Sequence, residues 1–228
     1  MKHSGKAANA ALRIIGWSAI ALVALLVFGF LAVLVGKLIW AISGVLIVLW
    51  ALVVVFTFYF FRDPEPLVPT LPQLVVAPGH GKIDVIDTTT ETEFMGGECR
   101  RVSIFLSVFD VHVQCAPTTG RVAYFKHTPG QYVNAMRIDS AQFNENVLIG
   151  IDSFDPRDEK IGVRLIAGLI ARRIVPWISE NDPVQRGERI SLIQFGSRVD
   201  IYLPLRAKIK VNLGEKAVGG ETVIAAFD

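Results

Sequence analysis

Residue 62 divides the chain into two kinds of text. From Ile14 to Gly36, 23 residues pass without a charge, and from Leu38 to Phe61 another 24 do the same. At ~1.5 Å per residue the whole stretch is about 70 Å of helix, more than twice a hydrocarbon core of roughly 30 Å. The pattern predicts an α-helical membrane anchor over 1–61. Two spans turning near Gly36-Lys37 account for its length, with Trp17, Trp40 and Trp50 as interface anchors. One span plus an interfacial or re-entrant helix is the alternative. Past Arg62 the rhythm changes. Pro64, Pro66, Pro69, Pro72 and Pro78 mark an extended linker over 62–78. From Leu74 onward, short apolar β runs alternate with turn residues. They fall at 74–76, 82–86, 102–108, 121–124, 147–151, 163–166, 189–195, 199–203, 208–211 and 222–226. No long helical period interrupts them, although 167–174 has room for a short turn. The second region, 79–228, reads as a mostly β barrel or sandwich large enough to bury a full core.

Composition sharpens this division. The 228 residues are 52% apolar and 19% charged, with a mean hydropathy of +0.46. All 21 acids lie at or after Asp63, and only Lys2, Lys6, Arg13 and Lys37 among the 23 bases precede Arg62. The first 61 residues therefore carry +4, and the remainder carries 19 − 21 = −2. These numbers exclude a disordered chain and a wholly soluble one. They also argue against a nucleic-acid partner, because a domain at −2 offers phosphate backbones no basic footprint. The bases flanking the apolar region place both its ends, and the β domain, on the cytoplasmic side of the cell membrane. A cleaved signal peptide fits poorly, since the apolar region is too long and no small-x-small site follows it. Cys99 and Cys115 can make at most one disulfide, and no Cys/His cluster has metal spacing.

Two late stretches resemble each other. Asp182 to Ile190 and Glu215 to Val223 each have an acid, then Gly-Glu five residues later, then a β-branched residue. This hairpin rhythm is similar to barrel-sandwich hybrid folds, with Gly187 and Gly220 supplying positive φ at the turns. Among the four histidines, His112 has the most suggestive setting. Strand alternation places Asp110, His112 and Gln114 on one face and Val111 and Val113 on the other. A polar face within a β core is costly unless satisfied, although a lone histidine there is commonly structural. Gly196-Ser197 stands between two β runs and invites a turn. No Gly-x-Ser-x-Gly elbow, P-loop or dinucleotide fingerprint occurs.

Several strings together resemble the short, membrane-anchored form of phosphatidylserine decarboxylase, a pyruvoyl enzyme. They are Phe60-Phe61-Arg62-Asp63-Pro64-Glu65, the Ala77-Pro78-x-x-Gly81 turn, Phe105-Leu106-Ser107 and Asp110-Val111-His112-Val113. Asn144-Glu145, the stretch Ile166 to Ile174, Gly187-Glu188-Arg189 and Phe195-Gly196-Ser197-Arg198-Val199-Asp200 continue the match over nearly the whole chain. The resemblance implies a proenzyme that cuts itself between Gly196 and Ser197. Ser197 Oγ attacks the Gly196 carbonyl, an ester replaces the peptide bond, and elimination followed by loss of ammonia leaves a pyruvoyl group derived from Ser197. Chains 1–196 and 197–228 then stay associated. The expected reaction is decarboxylation of phosphatidylserine to phosphatidylethanolamine through a Schiff base, with neither metal nor pyridoxal phosphate. His112 is the expected acid that reprotonates the product carbon.

The chain departs from the family's pattern at two places. Gly79-His80-Gly81 stands where Ala-Asp-Gly is usual, and that aspartate is tied to self-cleavage. His80 is therefore expected to deprotonate Ser197 in its stead, a task neutral imidazole suits. Cys115 occupies the position of a second histidine of the long form. The competing readings are an unprocessed, catalytically silent member, and a membrane-tethered carrier or adaptor module suggested by the hairpin rhythm. The expected partners are the membrane, the phospholipid substrate and further copies of the same chain.

Overall fold

The computed structural model describes residues 6–131, 143–168, 173–194 and 196–227, with side chains from Ile15 onward. Two compact units divide near residue 57, at Met1–Thr57 and Phe58–Asp228.

The first unit is one helix. α1 (Lys6–Phe60) runs for 55 residues without a break, and the turn expected at Gly36-Lys37 does not form. A single glycine costs a helix only ~1 kcal/mol relative to alanine, and its neighbours include the good helix formers Leu34, Lys37 and Leu38 with no proline among them. No buried partner pulls the chain into a bend either, because Ile15–Phe60 is apolar on every side and unburied at its most apolar window. By length and composition this helix is able to cross a membrane.

The second unit is a β structure of three sheets. β1 (Leu74–Val76), β14 (Val223–Ala226) and β12 (Lys208–Ile209) form one three-stranded sheet, in the order β1-β14-β12. β4 (Val113–Cys115), β10 (Arg189–Ile193) and β8 (Ile174–Pro176) form another, in the order β4-β10-β8. The eight-stranded sheet contains β13 (Lys216–Ala217), β2 (Gly81–Glu91), β3 (Gly97–Leu106), β11 (Ser197–Leu203), β7 (Arg157–Ala167), β6 (Asn146–Asp155), β5 (Thr119–Thr128) and β9 (Pro183–Val184), in that order. Val75, Ile83, Ile104, Val122, Ile149, Leu165, Val199, Ile201 and Ile224 belong to one continuous buried core. The mostly β, sandwich-like expectation is met. Strands β8, β9 and β13 went unread in the sequence, because two or three residues carry no period. The middle of the short turn expected at 167–174 lies outside the described residues, as does Phe195.

The hairpin rhythm reflects a wider internal duplication. Ala77-Pro78-Gly79-His80-Gly81-Lys82 and Ala116-Pro117-Thr118-Thr119-Gly120-Arg121 repeat at a spacing of 39 residues. Their backbones bond reciprocally, Val76 N–H to Pro117 O at 3.0 Å and Cys115 N–H to Pro78 O at 2.9 Å. Lys216 and Ala217 pair with Lys82 and Gly81, as Pro183 and Val184 pair with Arg121 and Gly120. Asp182 and Glu215 each accept from a backbone N–H three residues upstream, that of Ser179 at 2.7 Å and of Asn212 at 3.0 Å. Gly187 and Gly220 adopt φ of 79° and 76° and pack against each other. Two quasi-equivalent halves result. β4 to β10 is contiguous, whereas β1–β3 and β11–β14 are separated by that whole insertion.

Candidate active site

The two junctions of the insertion lie side by side, because Leu106 at the end of β3 is the register partner of Ser197 at the start of β11. Residues 107–112 form the outgoing junction. They do not extend β3 to Val108 as the sequence suggested. Asp110 instead closes a turn, accepting from Ser107 N–H at 2.9 Å and Ser107 Oγ–H at 2.7 Å. The expected two-faced strand at 110–114 is absent too. Only 113–115 is strand, and Val111, His112, Val113 and Gln114 are all buried. A short strand between two packed layers has no solvent face to which alternation could assign the polar residues.

His112 is fully buried and held from several directions. Its carbonyl accepts from Gln114 Nε2–H at 2.6 Å and Ile193 N–H at 3.1 Å. Ser191 Oγ–H in turn donates to Gln114 Oε1 at 2.7 Å, so the polar residues satisfy one another. The imidazole lies against Phe60, with ring centroids 4.3 Å apart. Nε2 is 3.1 Å from Gly196 N, and Nδ1 is 2.9 Å from Asp110 O. An amide N–H can only donate, so Nε2 is the acceptor and the proton resides on Nδ1. This is the neutral tautomer. Burial foremost holds the His112 pKa below its ordinary value; the Asp110 bond and charge oppose that shift, and Arg62 and His80 add to it.

The incoming junction carries Gly196-Ser197. Gly196 has φ of 71°, which glycine adopts without strain. Its carbonyl accepts from Gly168 N–H at 3.1 Å. Gly168 is placed by the end of β7, where Asn144 Nδ2–H donates to Ala167 O at 2.6 Å and Ala167 N–H donates to Glu145 O at 2.9 Å. Gly196 is thus bonded through its N–H to an imidazole and through its carbonyl to a backbone amide. Ser197 Oγ is buried and has no hydrogen-bond partner among the described residues.

His80 sits beside this site without a hydrogen bond to Ser197 among those described. The neighbouring Gly79 packs against Leu106 and Val199, which brings its turn over the β3–β11 end, and the His80 ring fills the space in front of Gly219. Burial first, then the Arg62 charge, holds His80 below its ordinary pKa, against Asp110, Glu221 and Asp63. Cys115 is a buried free thiol whose pKa burial pushes up to about 11, so it stays protonated and supplies no base near neutrality. His127 lies elsewhere on β5, 3.0 Å from Glu145. Downstream of Ser197, Arg198 is buried and paired with Asp84, while burial raises the pKa of Asp200.

Sequence reasoning singled out Ser197, Gly196, His112 and His80, and the fold brings their segments to one end of the β3–β11 pair. It missed Phe60 as the wall of the imidazole, Gly168 as the donor to the Gly196 carbonyl, and Gln114 with Ser191 as supports. The Asn144-Glu145 string was visible, but not its purpose of aiming Gly168.

Comparison with known proteins identifies the family of the chain. The family model described as phosphatidylserine decarboxylase matches residues 53–225. The chain is 44% identical over 180 residues to the phosphatidylserine decarboxylase proenzyme of Desulfotalea psychrophila, covering 79% of this chain and 83% of that protein. It is 41% identical over 172 residues to the proenzyme of the same name from Syntrophus aciditrophicus, covering 75% of this chain and 80% of the relative.

Proposed function

This chain belongs to the phosphatidylserine decarboxylase family, and we propose that it matures by cutting its own Gly196–Ser197 bond. The residue left at Ser197 becomes the pyruvoyl group with which phosphatidylserine is converted to phosphatidylethanolamine. The observation that carries this reading is Gly196, held by its carbonyl on Gly168 N–H and by its own N–H on His112 Nε2, with an unpartnered serine hydroxyl next to it. A buried hydroxyl without a partner costs stability, and a nucleophile gives that cost a reason.

The residues divide the work. When Ser197 Oγ adds to the Gly196 carbonyl, negative charge gathers on the oxygen that already accepts from Gly168 N–H, so the donor is in place before the charge develops. His80, kept neutral by burial, accepts the Ser197 proton. Having passed that proton to the leaving amine, His80 takes the Ser197 Cα proton as the Cβ–Oγ bond breaks. Gly196 departs as the carboxylate end of the 1–196 chain, and the dehydroalanine left at 197 takes up water and releases ammonia to become the pyruvoyl group. His112 is occupied until that moment, because its acceptor nitrogen holds Gly196 N–H. Departure of Gly196 frees Nε2 to take a proton from the incoming ammonium group and return it to the carbon that has lost carbon dioxide. The pyruvoyl group supplies the carbonyl that condenses with the substrate amine and draws electrons from the breaking bond.

The pieces stay together for structural reasons. β11, the first strand of the 197–228 chain, is paired on both sides, by β3 and β7, and β14 is the middle strand of its sheet. Helix α1 tethers the domain to the bilayer that contains its substrate, raising the local concentration of headgroups, with the domain on the cytoplasmic side. Protease added to right-side-out vesicles should leave the domain intact, and digestion there would reverse the topology. Intact mass tests the central claim. Wild type should resolve into species of 196 and 32 residues, the smaller resistant to Edman sequencing and reactive toward carbonyl reagents. Ser197→Ala should remain one inactive chain of 228 residues. Two fragments from Ser197→Ala would end the pyruvoyl assignment, and a single wild-type species would leave an unprocessed member of the family.

A further inference from the structure

We propose that Arg62 binds the phosphodiester of the phospholipid headgroup and thereby sets where the serine end of the substrate meets His112 and Ser197. The proposal deepens the decarboxylase reading above and rests on it.

Arg62 is the first charge after the apolar run that ends α1. Its guanidinium is fixed on three sides. One nitrogen donates to Tyr59 O at 2.8 Å, another donates to Phe109 O at 2.7 Å, and the group lies 4.0 Å over the Tyr59 ring. Tyr59 Oη–H also donates to Phe109 O, at 3.1 Å. Of the five N–H groups of a guanidinium, two are used in these bonds and three remain.

Other arginines of the domain are matched to carboxylates, Arg189 to Asp63, Arg101 to Asp87 and Arg198 to Asp84. Among the described residues, Arg62 has no carboxylate at ion-pair distance. It is therefore an oriented, half-exposed cation with donors to spare and no anion of its own. Its place relative to the chemistry matters most. Arg62 holds Phe109 O and His112 holds Asp110 O, so the two side chains hang from consecutive carbonyls of one turn. In phosphatidylserine, likewise, only a few bonds separate the phosphorus from the carbon that loses carbon dioxide. A planar guanidinium is suited to two phosphate oxygens at once, and a residue just past an apolar helix stands at headgroup depth when that helix is in a bilayer.

The rival assignment is that Arg62 only locks the turn. Competitors with and without a phosphate separate the two. Full-length enzyme in detergent micelles is assayed on phosphatidylserine with glycerophosphoethanolamine or with ethanolamine as inhibitor. Arg62→Gln should weaken inhibition by glycerophosphoethanolamine roughly ten- to hundredfold, the worth of a charge-assisted contact, and leave ethanolamine unchanged. Arg62→Lys, which retains the charge without the fork, should lose less with the same selectivity. Equal changes for both inhibitors, no change for either, or an uncleaved chain from both variants would overturn the proposal and leave Arg62 as a clamp. Wild-type enzyme that does not decarboxylate phosphatidylserine would instead sink the underlying reading.

Discussion

The contiguous half of the β domain and the interrupted half are built on the same plan, and they differ at one hairpin. In the contiguous half, β6 and β7 are joined directly through Pro156, with Phe154 opposite Arg157. In the interrupted half the equivalent strands are β3 and β11. Their hairpin is open, the chain leaving after Leu106 and returning at Ser197. Everything the proposed chemistry needs gathers at this opening. Asp110 and His112 occupy the outgoing junction, Gly196 and Ser197 the returning one, and Gly168 reaches in from the end of β7. The closed hairpin has no such residues. Duplication thus provides a stiff frame twice over, and the chemistry sits where the two copies stop being equivalent. The proposed cut at Gly196–Ser197 would leave β11 both of its neighbours, β3 and β7.

The largest test of this asymmetry is His112. His112→Ala should still cleave, because Nε2 contacts the Gly196 amide and not the Ser197 hydroxyl, yet turnover should fall by ~10²–10⁴-fold. Carbon dioxide release beside a gel separates the two steps, and near-normal turnover of a processed His112→Ala would refute the acid role.

Next comes the paired turn. His80 and Thr119 occupy equivalent positions in the repeated Ala-Pro-x-x-Gly segments, but only the His80 turn overlies the open end. His80→Ala should slow self-cleavage by about 10²-fold or more, as loss of a general base does, and His80→Asp should restore it. Thr119→Ala should leave cleavage at the wild-type rate. Normal cleavage in His80→Ala removes the base assignment, and slow cleavage in Thr119→Ala would place the turns in a structural role.

The glycines examine the symmetry itself. At Gly187 and Gly220 an added Cβ would stand 2.3 Å from Val68 Cγ2 and 2.8 Å from Pro66 Cβ, at φ of 79° and 76°. Each alanine variant should lose about 1–3 kcal/mol of stability, read as a lowered melting temperature of the uncleaved Ser197→Ala chain. Strongly unequal losses would show that the copies do not carry equal loads.

The smallest effect is one of pH. Burial depresses the folded-state pKa of both His80 and His112 below 6.5, so the unfolded chain binds more protons in the window just below that value. Their contribution is present above pH 6.5 and is lost as the pH falls toward the folded values, by at most about 1.4 kcal/mol per pH unit for each ring. Melting of Ser197→Ala should therefore become acid-sensitive below pH 6.5, and less so once His112 is replaced by glutamine. An unchanged acid slope in that double variant would mean that His112 is not held neutral in the fold.

Much of this molecule could be read from its residues in order. The uncharged run before Arg62 specifies a helix because nothing in it breaks one, and the β runs from Leu74 to Ala226 announce themselves by length and branching. Gly196-Ser197 and the His112 segment were legible as local strings. The tertiary structure decided the rest. It turned residues 107–112 away from β3 and buried His112 and Gln114 where alternation had forecast a polar face. It alone set Phe60 against His112 and Gly168 N–H on Gly196 O, contacts between residues tens of positions apart. Periodicity reports which side of an element meets the core. A backbone amide that donates across two strand ends has no side chain through which composition or spacing could signal it, so its partner is fixed only when the sheets pack.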